Sequence, residues 1–340
     1  MAEGRTKQTP SQSRVAIVGA DSLLARELRE RLDESAAASR VELISAALEN
    51  SSVLGAGEDD EPLVMSPLNA ESLTGTKVAF LAGTPASSRR AYKANPPDGP
   101  VLIDLTGALE DLPEARLRAP SALTPLPIAS RVHVIANPAA IALTTLLRGL
   151  SRHVAIANSV IHVFEPASER GRKGIDELQQ QTVAVLSFKK LKTDTFDAQL
   201  GFNLLARYGE EAPEPLEEVE ARIGRHLASL LAHTAESMPM PSLRLIQAPV
   251  FHGHSFSILI EFAGTETVSE ALIAKWLDQA GVDVREEDPP TNAGIAGQSG
   301  LSAGAIHADA NHPRAFWIWA VADNLRLSAD NAVAVAREFL

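Results

Sequence analysis

The feature that most constrains this chain is the alternation in its first ~140 residues. Short apolar runs alternate with stretches of helical periodicity. Arg14 to Gly19 (R-V-A-I-V-G) is an apolar run ending in glycine and reads as a buried strand. Leu23, Leu24, Leu28 and Leu32 follow at helical spacing, with charges between them. Further strands are expected at Val41 to Ala46, Lys77 to Ala82, Val101 to Leu105 and Val132 to Ala136. The acidic, glycine-containing stretch Ser51 to Glu61 reads as a loop. Such alternation predicts a parallel sheet with right-handed crossovers.

The middle of the chain has a different rhythm. Longer strands are expected at Ser159 to Glu165, Thr193 to Asn203, Ser242 to Pro249 and Ser255 to Phe262. Helices are expected at Gly171 to Leu186 and Leu216 to Thr234. Glu210 to Pro215 is a charged connector, Asp288 to Gly304 a Pro/Gly-rich loop, and Ala329 to Leu340 a closing helix. This pattern predicts an α+β unit with one wide sheet. The polar segment Met1 to Ser13 has no apolar core of a secretory signal and reads as a mobile tail.

Composition removes several function classes. The chain has 340 residues, enough for two domains, and 45% are hydrophobic. The formal net charge of −12 argues against nucleic acid or an anionic membrane as partner. No apolar run reaches the ~18 residues of a membrane span, and a cytosolic protein is expected. There is no cysteine. Disulfides, thiolate metal sites and thiol nucleophiles are thereby excluded together.

Three segments resemble sites. The turn Gly19-Ala20-Asp21-Ser22-Leu23-Leu24-Ala25 stands where a dinucleotide loop would. Such loops use glycines for the tight turn, for backbone approach to pyrophosphate and for helix packing. Only Gly19 is present, and Ser22 puts a side chain where phosphate should approach. A purely structural turn is the competing reading. Gly83, after the third strand, and Ser45, placed to suit a 2′-phosphate, complete the candidate cofactor residues. NADP or NAD is the candidate cofactor, and the missing glycines argue against it. Ala136 to Thr144 reads as a strand running into a helix N-terminus, which would stabilise a thiolate if one were there. His252 and His254 flank Gly253. Without a nearby carboxylate cluster they make a poor metal site, and none is expected. His254 suits an acid–base role, against the plainer reading of a hydrogen-bonded histidine at a seam.

Together these segments resemble the aspartate-semialdehyde dehydrogenase family from about Arg14 to the C-terminus. Leu102 to Leu109 resembles its Asp-x-Ser-Ser-Ala-Phe-Arg strand and Ala136 to Thr144 its Asn-Pro-x-Cys segment. Phe164 to Gly171 resembles the stretch with its active-site glutamine, and Phe202 to Leu205 its Phe-Asn-x-Ile-Pro strand. Pro249 to Ser255 is similar to Pro-Val-x-x-Gly-His-Ser, and Asp323-Asn324-Leu325-Arg326 to the start of the closing helix. The last two are the most specific.

The resemblance implies a Rossmann-type domain over residues 14–138, to which residues 322–340 return. It also implies an α+β dimerisation domain over 139–321, of the glyceraldehyde-3-phosphate-dehydrogenase-like type, and a homodimer. The family's cysteine falls on Ala140 and its glutamine on Glu165. The arginine for the substrate carboxylate falls on Gln247, the phosphate-binding arginine on Glu110, and a lysine on Glu220. Only the acid–base histidine persists, as His254. A methyl group cannot attack a carbonyl, and glutamates in place of cations repel acyl phosphate. The expectation is a homologue inactive in phosphorylating aldehyde oxidation, with a binding or regulatory role. Two rival readings are an NAD(P)-dependent oxidoreductase using His254 without a covalent intermediate, and a heteromeric partner of an active family enzyme.

Overall fold

The computed structural model describes residues 14–35, 40–47, 53–56, 62–123, 129–234 and 238–340. The tail expected at Met1 to Ser13 lies outside them. The first half builds a six-stranded parallel sheet. Its strands are β1 (Arg14–Val18), β2 (Arg40–Ile44), β5 (Val78–Leu81), β6 (Val101–Asp104), β7 (Arg116–Arg118) and β8 (Val132–Ile135), in the order β2-β1-β5-β6-β8-β7. Every residue of β5 and β8 is buried, as a parallel sheet covered on both faces requires.

Helices α1 (Leu23–Ser35), α2 (Ala70–Leu73) and α3 (Pro85–Ala94) belong to this half. α3 begins cleanly. Thr84 and Ser87 form a reciprocal capping box, and Pro85 stands in the first turn. Part of the loop expected over 51–61 is instead strand. β3 (Val53–Ala56) pairs antiparallel with β4 (Pro62–Met65). Backbone pairing there outweighs the glycine and acidic content of the segment. The remainder of that loop lies outside the described residues.

The second half is organised around a six-stranded mixed sheet. β9 (Ile156–Glu165), β10 (Ser242–Gln247), β11 (His254–Phe262), β12 (Asp283–Arg285), β13 (Ser302–Ala308) and β14 (Ala315–Ala322) run in the order β10-β9-β11-β14-β13-β12. α4 (Pro138–Ser151) packs on α6 (Leu216–Leu231), α7 (Glu270–Gln279) and β9, while α6 lies against β10 and α7 against β13. Ile161, Val163, Phe256, Ile258, Ile260 and Ile318 are among the buried apolar residues of this core. α5 (Gly171–Leu186) follows a 3₁₀ turn at Ala167–Arg170, α8 is Asn292–Ile295, and α9 is Asn324–Ala336.

The expected strand over 193–203 is not one. The segment is a series of turns fastened by two buried side chains of α5. Glu177 accepts from the backbone N–H groups of Thr195 and Phe196, and Gln181 accepts from those of Leu200 and Gly201. Side chains therefore satisfy the N–H groups that a sheet would have used. The loop expected over 288–304 contains α8, capped by Thr291, and the first residues of β13. The closing helix begins at Asn324 rather than Ala329, because Asp323 accepts from Leu325 and Arg326 and caps it there.

α9 returns to the first half and packs on α1. Arg326 joins Glu27 at 2.7 Å and Glu34 at 2.8 Å. Arg31 bonds Asp330, and Asn331 accepts from Ser121.

Candidate functional site

The second sheet brings three of the singled-out positions into one row. Gln247 and Glu165 are register partners in the β10–β9 pair. In the β9–β11 pair Ser255 stands opposite Phe164, so His254 and Glu165 occupy the next positions of their strands. Residues facing each other across a sheet project to the same side, and Gln247, Glu165 and His254 are all buried.

Each member of the row has a distinct state. The Gln247 amide is fully used. Tyr208 Oη donates to its Oε1 at 2.6 Å, and its Nε2 donates to the Glu165 carbonyl at 2.8 Å and to that of Ala248 at 3.1 Å. Glu165 Oε1 lies 2.9 Å from Arg170 Nη2, while Oε2 has no partner. Burial pushes the Glu165 carboxyl up to about 8, against the opposing pull of Arg170. His254 has neither ring nitrogen hydrogen-bonded, contrary to the competing reading of a hydrogen-bonded histidine at a seam. Burial holds its pKa below the usual imidazole value, with Glu169 and Asp323 acting in the opposite direction.

Arg170, the guanidinium beside the row, is committed elsewhere. Its Nη1 lies 2.7 Å from Glu214, which also holds Arg222, and its guanidinium stands 5.5 Å from the Tyr208 ring centre. Arg170, Tyr208, Glu214 and Arg222 have no role in the reading of the sequence. Arg170 alone carried a signal, a basic residue five positions after Glu165 in E-P-A-S-E-R.

Two further positions that the resemblance singles out, Glu110 and Glu220, also have internal partners. Glu110 Oε2 lies 2.8 Å from His226 Nε2, and its Oε1 lies 3.1 Å from Arg225. The His226 hydrogen bond is the main reason the Glu110 carboxyl stays below the usual carboxylate range. His226 Nδ1 accepts the Asn137 backbone N–H at 2.9 Å, so Nε2 carries the proton and donates to Glu110. Glu220 accepts the Leu245 N–H at 2.6 Å and lies 3.7 Å from Arg244.

Ala140 sits in the first turn of α4, where Asn137 caps by accepting from Ala139. It is fully buried, and its carbonyl accepts from Thr144. α4 packs on β9.

The turn after β1 is pinned from several sides. Gly19 has φ +81°, and a Cβ there would lie 2.2 Å from Gly83 Cα. Both glycines are therefore needed for backbone contact between two βα turns. The N–H groups of Gly19 and Ala20 donate to the Ile44 carbonyl. The Ser22 hydroxyl turns inward, donating to the Ala82 carbonyl at 2.7 Å and accepting from Ala25 N–H. Asp21 is exposed and Leu23 and Leu24 are partly so. Ser45 is buried and its hydroxyl accepts from Ala47, while Arg90 bonds the Ala46 carbonyl beside it.

Among the described residues no group of three His, Cys, Asp or Glu side chains is placed to hold a metal ion, and no helix is long and apolar enough to cross a membrane. An open cleft of about 660 Å³ is lined by Ala271, Lys275, Asp278 and Arg285 among others, with no residue of the row among them.

Comparison with known proteins follows the same outline. The profile described as semialdehyde dehydrogenase, dimerisation domain, matches residues 147–327. A protein of Pseudomonas aeruginosa named USG-1 protein homolog is 30% identical over 93% of this chain and 94% of its own. An aspartate-semialdehyde dehydrogenase of Prochlorococcus marinus is 26% identical over 98% and 99%. A Pseudomonas aeruginosa structure, solved as that of a probable aspartate-semialdehyde dehydrogenase, superposes with a TM-score of 0.83 at 28% identity, covering 96% of this chain and 98% of that one. The chain belongs to the semialdehyde dehydrogenase family, among relatives named aspartate-semialdehyde dehydrogenase and USG-1 protein homolog.

Proposed function

We propose that this chain is a homodimeric member of its family that does not carry out phosphorylating aldehyde oxidation and instead acts by binding, as a regulatory or scaffold protein. The supporting observation is the closed row Gln247–Glu165–His254 in a chain without cysteine. The chemistry implied by the resemblance needs a thiolate and free cations. Here Ala140 takes the thiol's place. Gln247 spends its amide on Tyr208 and the backbone, and Arg170 is bound to Glu165 and Glu214. A carboxylate substrate would have to displace buried, satisfied contacts, each costing about 1–3 kcal/mol.

Residues 14–138 with 322–340 are proposed as the nucleotide-type domain and 139–321 as the dimerisation domain. NADP or NAD remains the candidate cofactor at Gly19 to Leu24, Ser45 and Gly83. The internal bonds of Gly19, Ala20, Ser22 and Ser45 favour the reading that the turn is structural. Hydride transfer between a small aldehyde or oxo substrate and a nicotinamide cofactor, with His254 moving the proton and no covalent intermediate, is the weaker reading, since both ring nitrogens are sealed in the protein.

Two measurements test this on purified protein. One is phosphate-dependent reduction of NADP with aspartate semialdehyde, where no turnover is expected and measurable turnover defeats the proposal. The other is calorimetric titration with NADP and with NAD, where micromolar binding would restore the oxidoreductase reading.

A further inference from the structure

The turn that follows α9 is fastened to the first sheet through one buried histidine. His133, on β8, is fully buried. Its Nε2 lies 3.0 Å from the Ser130 carbonyl, which can only accept, so Nε2 carries the proton. Nδ1 is then the lone pair, and it accepts from Arg118 Nη1 at 3.1 Å. The other nitrogen of that guanidinium, Nη2, bonds Glu338. The Phe339 ring stands 5.1 Å from the His133 ring, and Lys77 Nζ donates to the Leu340 carbonyl. Residues 338, 339 and 340 are thus each held by a different side chain of the first half.

The arrangement depends on the charge of the ring. Arg118 has donors only, so a proton on Nδ1 removes its acceptor and sets two cations side by side in a buried place. Burial, and then the Arg118 charge, hold the His133 pKa below the usual imidazole value. Arg116 adds to Arg118, while the Ser130 carbonyl and Glu338 act in the opposite direction. The β6 neighbour of His133 is the apolar Ile103. Of the other charged residues on α9 and its end, Arg326 and Asp330 are engaged by α1 and Arg337 is exposed.

α9 joins this fastening to the row in the second half. At its first turn Asn324 accepts from the Gly253 N–H and the Ser168 hydroxyl and donates to Glu169. One helix therefore ends on the row at one side and on His133 at the other.

We propose that His133 is an acid-sensitive latch, which when neutral holds residues 338–340 on the first sheet through Arg118 and when protonated releases them. With the folded pKa depressed, the latch is complete above the unfolded value of 6.5 and is lost as pH falls through the folded one.

Hydrogen exchange of the purified full chain at pH 7.5 and pH 5 tests it, read as protection factors corrected for the intrinsic rate. The reporters are the N–H groups of Glu338 and Phe339, which donate to the Val335 and Ala336 carbonyls. In wild type their protection should fall about tenfold or more at pH 5, as loss of one hydrogen bond to a charged group gives, while β11 keeps its own. His133→Gln offers Arg118 an acceptor and Ser130 a donor without titrating, and should hold its protection at both pH values. Glu338→Ala cuts the tie to Arg118 and should be poorly protected at both. Equal wild-type protection at the two pH values overturns the latch. A fall shared equally by β11 is general acid unfolding and overturns it too, as does an undiminished fall in His133→Gln, which places the titrating group elsewhere.

Discussion

Glu165 Oε1 and Arg170 Nη2 stand 2.9 Å apart, the carboxylate fully buried and the guanidinium largely so. The pair does not fully offset the burial of the carboxylate, whose folded pKa is about 8. The neutral carboxyl is the form the fold favours. Its contribution to stability is complete below the unfolded value of 4.5 and is lost as pH rises through about 8. Wild type should therefore lose melting temperature, relative to Glu165→Gln, between pH 5 and pH 8.5. Parallel melting curves for the two proteins across that range would contradict this.

Glu110 joins the loop after β6 to α6. Removing it by Glu110→Ala leaves His226 Nε2 and Arg225 without their carboxylate partner, and His226 is buried. An unpaired buried donor costs about 1–3 kcal/mol, so that much loss of unfolding free energy in urea is expected. Glu110→Gln keeps an acceptor for His226 and should lose less. Equal losses for the two variants would mean that the hydrogen bond is not what matters.

The first half of the fold was legible because most of its strands are short, largely apolar and punctuated by helices, as in R-V-A-I-V-G and V-L-I-D-L. The turns over 193–203 were not legible. Their apolar residues, Phe196 and Leu200, are buried as a strand's would be, but Glu177 and Gln181 of the preceding helix supply the hydrogen bonds. β13 and β14 were missed because the Pro/Gly run before them hides where irregular chain ends. At the site, Ala140, Glu165, Gln247 and His254 were named from motifs alone. The partners that define their state could not be, since Tyr208 reaches Gln247, and Glu214 reaches the Arg170 that holds Glu165, only through tertiary packing.

Gly19 approaches Gly83 so closely that a methyl on Gly19 has no room. Gly19→Ala would place Cβ 2.2 Å from Gly83 Cα at a φ of +81°. Strain of this kind costs about 1–3 kcal/mol before the clash is counted. A lower midpoint of denaturation is expected, with β1, β5 and their turns losing hydrogen-exchange protection. If Gly19→Ala matches wild type in stability, the contact is not tight and the turn has room for a ligand.

Placing a thiol at position 140 separates a site that lacks only a nucleophile from one that differs throughout. Ala140→Cys returns a nucleophile to the first turn of α4, where the helix N-terminus favours a thiolate. It does not return a cation at 247, 110 or 220. Glu165, Glu110 and Glu220 would remain with the internal partners they have now. No phosphate-dependent turnover of aspartate semialdehyde is therefore expected from Ala140→Cys, whereas labelling by a thiol reagent in denaturant would confirm that the cysteine is present. Adding Gln247→Arg should lower stability, because Tyr208 Oη loses its acceptor and a guanidinium enters a fully buried position. Turnover by the single Ala140→Cys variant would show that the remaining substitutions are tolerated, and the chain would then be a dehydrogenase lacking only its nucleophile.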